Sequence, residues 1–137
     1  MAYWLFKEEP DHNSFDQLLR DKRAVWSGVQ NNLALKHLRS IKKGDHVLYY
    51  HTGKEKAAVG VMEVVKGPYP DPTENDPRLV VVDVKPVRRL DRPVSLAEIK
   101  ANPKFADFAL VRISRLSIMP VSATQWSEIE RISKQDP

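Results

Sequence analysis

The 137-residue chain contains no cysteine. A disulfide framework, a thiolate metal site and a cysteine nucleophile are therefore excluded, and the composition fits a reducing compartment. Glycine is scarce. The five glycines, at 28, 44, 53, 60 and 67, form no G-x-G-x-x-G pattern and none precedes Lys-Ser/Thr, so no phosphate-cradling loop is present. The four histidines, at 12, 37, 46 and 51, lack the H-x-x-x-H spacing of a helical zinc site. No G-x-S-x-G elbow marks a serine nucleophile, and Glu8 and Glu9 point to opposite sides of any extended chain. No apolar run approaches the ~20 residues of a membrane span, and the start MAYWLFKEEP reaches acid at Glu8 where a secretory segment would continue apolar. A cytoplasmic protein without metal, cofactor or membrane partner is expected.

What is present is an ordinary globular composition, with 42% hydrophobic and 29% charged residues. A chain of this length buries enough surface for one core, so a single domain over 1–137 is expected, as a monomer. The net charge of +4 is unevenly spread: residues 20–56 hold nine basic residues against three acidic, while residues 1–19 carry −3. Such a local excess suits an anion-binding face, with Lys36, Arg39 and Lys43 as candidate phosphate contacts.

Along the chain, AYWLF at 2–6 is apolar on both faces, as in a buried strand. Ser14 with Gln17, Ser95 with Glu98, and Ser122 with Gln125 are capping-box pairs that open three short helices. Asn31 or Asn32 caps another helix, whose Leu35, Leu38 and Ile41 share a face. The runs 46–52 and 57–65 read as a hairpin closed by Gly53-Lys54-Glu55-Lys56. Residues 24–30 read as irregular and the proline-rich 67–78 as a surface loop. A third strand spans 79–87, with Pro86 near its end, and 109–121 reads as strand, turn, strand. This alternation predicts an α+β fold: a small, mostly antiparallel barrel flanked by short helices.

With enzyme signatures missing, chemistry falls to aromatic and amide residues beside basic ones. Trp26 lies in a Gly28-containing segment followed by Gln30, Asn31 and Asn32, and Tyr49, Tyr50 and His51 end a strand. Aromatic rings stack bases, amides read base edges, and Lys or Arg hold phosphates. Strand alternation sends one of Tyr49 and Tyr50 away from the core. Trp4 and Trp126 read as core. Arg115 is either a surface charge or a phosphate and base-edge donor. A second reading makes the same pocket an enzyme site with His51 as acid or base. A third makes the proline-rich loop a protein-docking element.

Six segments, YWLFKEEP (3–10), WSGVQNN (26–32), LRSIKKGDHVLYYHT (38–52), VGVMEVV (59–65), YPDPT (69–73) and RLSIMPV (115–121), together resemble the EVE domain family. That family lies within the PUA-like superfamily and is related to YTH domains. The resemblance implies a partly open β-barrel and a non-enzymatic pocket for a modified cytosine or adenine in DNA or RNA. Carried over by position, the pocket falls on Lys7, on Trp26, Gly28, Val29 and Asn31, on Tyr50, His51 and Thr52, and on Arg115 and Ser117. In that assignment Trp26 stacks on the base or walls its cage, with Tyr50 as the other wall. Asn31 and main-chain groups near Val29 read its edge, and Arg115 and Lys7 meet phosphate or close the pocket.

Overall fold

In the computed structural model, which describes residues 1–136, the aromatic run at the start of the chain forms strand β1 (Tyr3–Glu8). Helix α1 (Phe15–Asp21) follows, its first turn closed by Ser14, whose hydroxyl accepts from the Gln17 N–H. The reciprocal half of that box is not made, because the Gln17 side chain turns to Asp21 and Arg20. Strand β2 (Ala24–Trp26) leads to helix α2 (Asn32–Ser40), capped by Asn31. The hairpin of β3 (His46–His51) and β4 (Ala57–Pro70) then pairs with β5 (Val80–Ser95). Helix α3 (Leu96–Lys100), a 3-10 turn (Pro103–Phe105), helix α4 (Ala109–Arg112), strand β6 (Ile118–Val121) and helix α5 (Ala123–Ser133) complete the order. Both α3 and α5 carry complete capping boxes.

The six strands form one sheet in the order β2-β5-β4-β3-β1-β6, antiparallel except for the β1–β3 pair. The closed ring of a barrel is not made: β2 and β6 end the sheet without pairing to each other among the described residues. The sheet nevertheless curls strongly. Trp26 of edge strand β2 brings its ring to 5.1 Å from Phe6 of β1 and 5.4 Å from Tyr49 of β3, strands that lie four and three places away in the order. Register shifts along β4 and β5 supply the curvature that flat pairing lacks. At one of them Gly60 lies against Phe15: a Cβ added there would meet ring atoms 2.4–2.7 Å away, so only glycine fits.

Four expectations are corrected. Ala24–Trp26 is strand, because β5 offers it a partner at Asp83. The first four residues of the expected 67–78 loop continue β4, whose register shift between Lys66 and Tyr69 accommodates a proline with no N–H to donate. Pro86 sits inside β5, where the register shift at Val61/Met62 tolerates it. Residues 109–112 are helical, since a short alternating apolar run fits one helical turn as well as a strand. Here Phe105, Phe108 and Leu110 are all buried by the turn and helix.

Candidate functional site

The parallel pairing of β1 with β3 sets Lys7 directly beside Tyr50, and Phe6 beside Tyr49. Successive side chains on a strand point to opposite faces, so these two neighbouring pairs look in opposite directions. On one face, Lys7, Tyr50, Thr52, Gly53, Lys56, Leu96, Lys100 and Ser114 line a cavity of about 290 Å³. The Lys7 ammonium donates to the Ser114 carbonyl at 2.9 Å and lies 5.9 Å from the centre of the Tyr50 ring. Burial holds the Lys7 pKa below its ordinary value and pushes that of Tyr50 up to about 12. Tyr50 is only 3% exposed, so it forms the floor of the cavity and shows a rim, not an open face. Its hydroxyl makes no hydrogen bond to another side chain or main-chain group among the described residues. The Lys7 N–H donates to the Ser117 carbonyl, which ties the segment bearing Ser114, Arg115 and Ser117 to the end of β1. Thr52 donates its N–H to the Glu8 carbonyl and its hydroxyl to Glu9.

On the other face, Trp26 is 6% exposed and packs on Phe6 and Tyr49. The role of stacking on a base needs a free ring face, and this ring has none; the β2–β5 pairing folds it into the core. His51 points to the same side, its ring edge-on to Tyr49 at 5.5 Å. Its Nε2 accepts from the Phe15 N–H at 3.1 Å and its Nδ1 faces Glu55 Oε1 at 2.6 Å. With Nε2 accepting, the proton sits on Nδ1 and is donated to Glu55. Both ring nitrogens are thus committed to anchoring α1 and the hairpin turn, leaving neither for proton transfer to a substrate. Tyr49 and Tyr50 take opposite faces of β3, as strand alternation requires, and both are buried, at 0% and 3% exposed.

The rest of the expected pocket stays apart from the cavity. Gly28, at φ +80°, turns the chain after β2, and Val29 is buried against the core. Asn31 spends its side-chain oxygen on the α2 cap, accepting from the Ala34 N–H. Arg78 braces this segment from the 71–79 loop, donating to the Gln30 carbonyl and the Asn32 side chain. Arg39 donates in turn to the Arg78 carbonyl. Lys43 belongs to the turn before β3, about 13 Å of strand from Tyr50, and Lys36 is exposed on α2. Arg115 is exposed and follows Ser114, which lines the cavity. Of the expected residues, then, Lys7, Tyr50 and Thr52 meet in one cavity, while Arg115 and Ser117 lie in the segment that contributes Ser114 to it.

Gly53, Lys56, Leu96, Lys100 and Ser114 line the same cavity and escaped sequence reasoning. Leu96 and Lys100 stand at i and i+4 and so share a face of α3, a signal present in the sequence without a partner to which it could be assigned. Among the described residues no group of three or more His, Asp or Glu side chains could hold a metal ion, and no helix is long and apolar enough to cross a membrane.

Residues 2–132 match the EVE domain. The chain belongs to the EVE domain family. Human thymocyte nuclear protein 1 is 28% identical over 99% of this chain and 76% of the relative. Among solved structures, a Rhodopseudomonas palustris protein superposes with a TM-score of 0.92 at 40% identity, covering 97% of this chain and 93% of its own. The human protein, solved in complex with DNA containing 5-methylcytosine, superposes with a TM-score of 0.90 at 27% identity over the full length of both chains. The YTH domain of Zygosaccharomyces rouxii MRB1, at 19% identity and a TM-score of 0.58, shares the fold.

Proposed function

We propose that this EVE domain is a non-enzymatic reader of nucleic acid that takes up a modified base, a modified cytosine first and a modified adenine second. The observation that carries the proposal is its superposition over the whole solved chain of the human relative whose structure holds 5-methylcytosine DNA. The cavity between β1, β3 and α3 supports it, being bounded by a half-buried ammonium, a tyrosine rim, Thr52 and Ser114. A base entering there meets donors from Lys7 and Tyr50 suited to carbonyl and ring-nitrogen acceptors. Entry beside Trp26 would first require its ring to leave Phe6 and Tyr49, forfeiting two aromatic contacts of about 0.5–1.5 kcal/mol each together with its buried area.

Anisotropy titrations with short single-stranded and duplex DNA and RNA, carrying 5-methylcytosine, N6-methyladenine or neither, test the proposal. Tighter binding of a methylated oligonucleotide, weakened by Tyr50→Phe or Lys7→Met in a folded variant, supports it. Equal affinity for all oligonucleotides overturns it.

A further inference from the structure

The cavity beside Tyr50 does not end at its own rim. A second cavity of about 330 Å³, lined by Lys54, Glu55, Lys56, Ser95, Leu96, Ala97 and Lys100, shares Lys56, Leu96 and Lys100 with the first. Together they form one trough running from the end of β1, across the β3–β4 turn, to α3. Four lysines, Lys7, Lys54, Lys56 and Lys100, line it. None of their ammonium groups lies within ion-pair distance of a carboxylate among the described residues. The acidic side chain in the trough, Glu55, is engaged by His51, and Glu9 beyond the turn accepts from the Thr52 hydroxyl. Elsewhere Arg23, Arg78, Arg88, Arg89, Arg92, Lys104 and Arg131 each meet a carboxylate, while other surface cations among the described residues stand singly, so what sets the trough apart is that its four lysines line one continuous depression.

Concentrated cations cost repulsion, and a fold selected for stability alone would interleave acids. Four ammonium groups without a carboxylate partner, brought along one trough, match a run of phosphates. We infer that Lys54, Lys56 and Lys100 grip the backbone phosphates of the nucleic-acid strand whose base enters beside Lys7 and Tyr50. The inference rests on the nucleic-acid reading above. It moves the phosphate contacts away from Lys36, Arg39 and Lys43 to the opposite end of β3. The grip is sequence-blind, since these lysines meet phosphates and leave the base to the neighbouring cavity.

The test compares wild type with Lys56→Gln, Lys100→Gln and the double variant, and with Lys85→Gln as control. Lys85 is exposed on β5, opposite Glu63, at the His46 end of the sheet. Affinity for a methylated and an unmethylated single-stranded oligonucleotide is measured against salt. Each lost phosphate contact lowers the slope of log K against log salt by about 0.7, so the double variant should lose about 1.4. Both oligonucleotides should weaken by the same factor, with the preference between them intact and Lys85→Gln unchanged. An unaltered slope in the folded double variant overturns the groove and leaves the base pocket standing. A normal loss of slope without any preference for methylation in wild type overturns the base pocket and leaves the groove. A wild type that binds neither oligonucleotide overturns both.

Discussion

Trp26 separates two accounts of this EVE domain, because a base-stacking tryptophan and a core tryptophan respond differently to truncation. The structure makes it core: 6% exposed, with its ring against Phe6 and Tyr49. It is also the contact through which edge strand β2 reaches across the curled sheet to β1. Trp26→Ala should therefore cost about 3–5 kcal/mol, the usual range for emptying a large aromatic site. Two lost aromatic contacts at about 0.5–1.5 kcal/mol each account for part of that, and the cavity left behind for the remainder. At roughly 3 °C per kcal/mol for a chain of this size, the melting temperature should fall by about 10–15 °C. Trp26→Phe, which keeps a ring between the same neighbours, should lose clearly less. The assay is urea and thermal unfolding followed by circular dichroism, paired with oligonucleotide titration at a temperature where each variant is fully folded. Under those conditions both variants should retain preference for a methylated base. A Trp26→Ala protein as stable as wild type but unable to bind would refute the reasoning and restore Trp26 to the pocket.

Other expectations follow from single contacts. Gly60→Ala places a methyl group into the Phe15 ring and should destabilise by about 1–3 kcal/mol, as overpacking does, visible as a lower urea midpoint with an unchanged m-value. Glu98, held by Arg92, and Glu128, held by Arg131, have pKa values drawn down to about 2. Their stabilising contribution is complete above the unfolded value of about 4.3 and is lost as pH falls toward 2, so urea midpoints should drop steeply between those limits. A flat profile there would contradict the ion pairs. Tyr50, with its pKa pushed up to about 12 by burial, stays protonated in the folded state where a free tyrosine ionises. That contribution is present below about pH 10 and lost as pH rises through 12, and tyrosinate absorbance in Tyr50→Phe against wild type would show it.

Much of the fold is legible in the sequence because its signals are local. The Ser95–Glu98 and Ser122–Gln125 boxes form as written, Asn31 caps α2, and the 46–65 hairpin turns at Gly53–Lys56. What sequence pattern misses is set by distant partners. β2 is three residues long and exists because β5 lies alongside. The 109–112 run reads equally well as strand or helix until Phe105 and Phe108 bury it. The site divides for the same reason. Position alone places Trp26, Tyr50 and His51 near one another, but side-chain alternation on β3 and the curl of the sheet put Tyr50 on the cavity face and the other two behind it. Lys56, Lys100 and Ser114 come from three segments that no motif connects.

The central claim, a modified-base reader working through the Lys7–Tyr50 cavity, is tested most directly by titrating isotope-labelled protein. One short oligonucleotide is used in two forms, with and without 5-methylcytosine, while backbone amide shifts are followed by NMR. Shifts concentrated at Lys7, Tyr50 to Gly53, Lys56, Lys100 and Ser114, saturating at lower concentration with the methylated form, are the predicted result. Identical titrations for the two forms, or shifts gathered on α2 around Lys36 and Arg39, would contradict it.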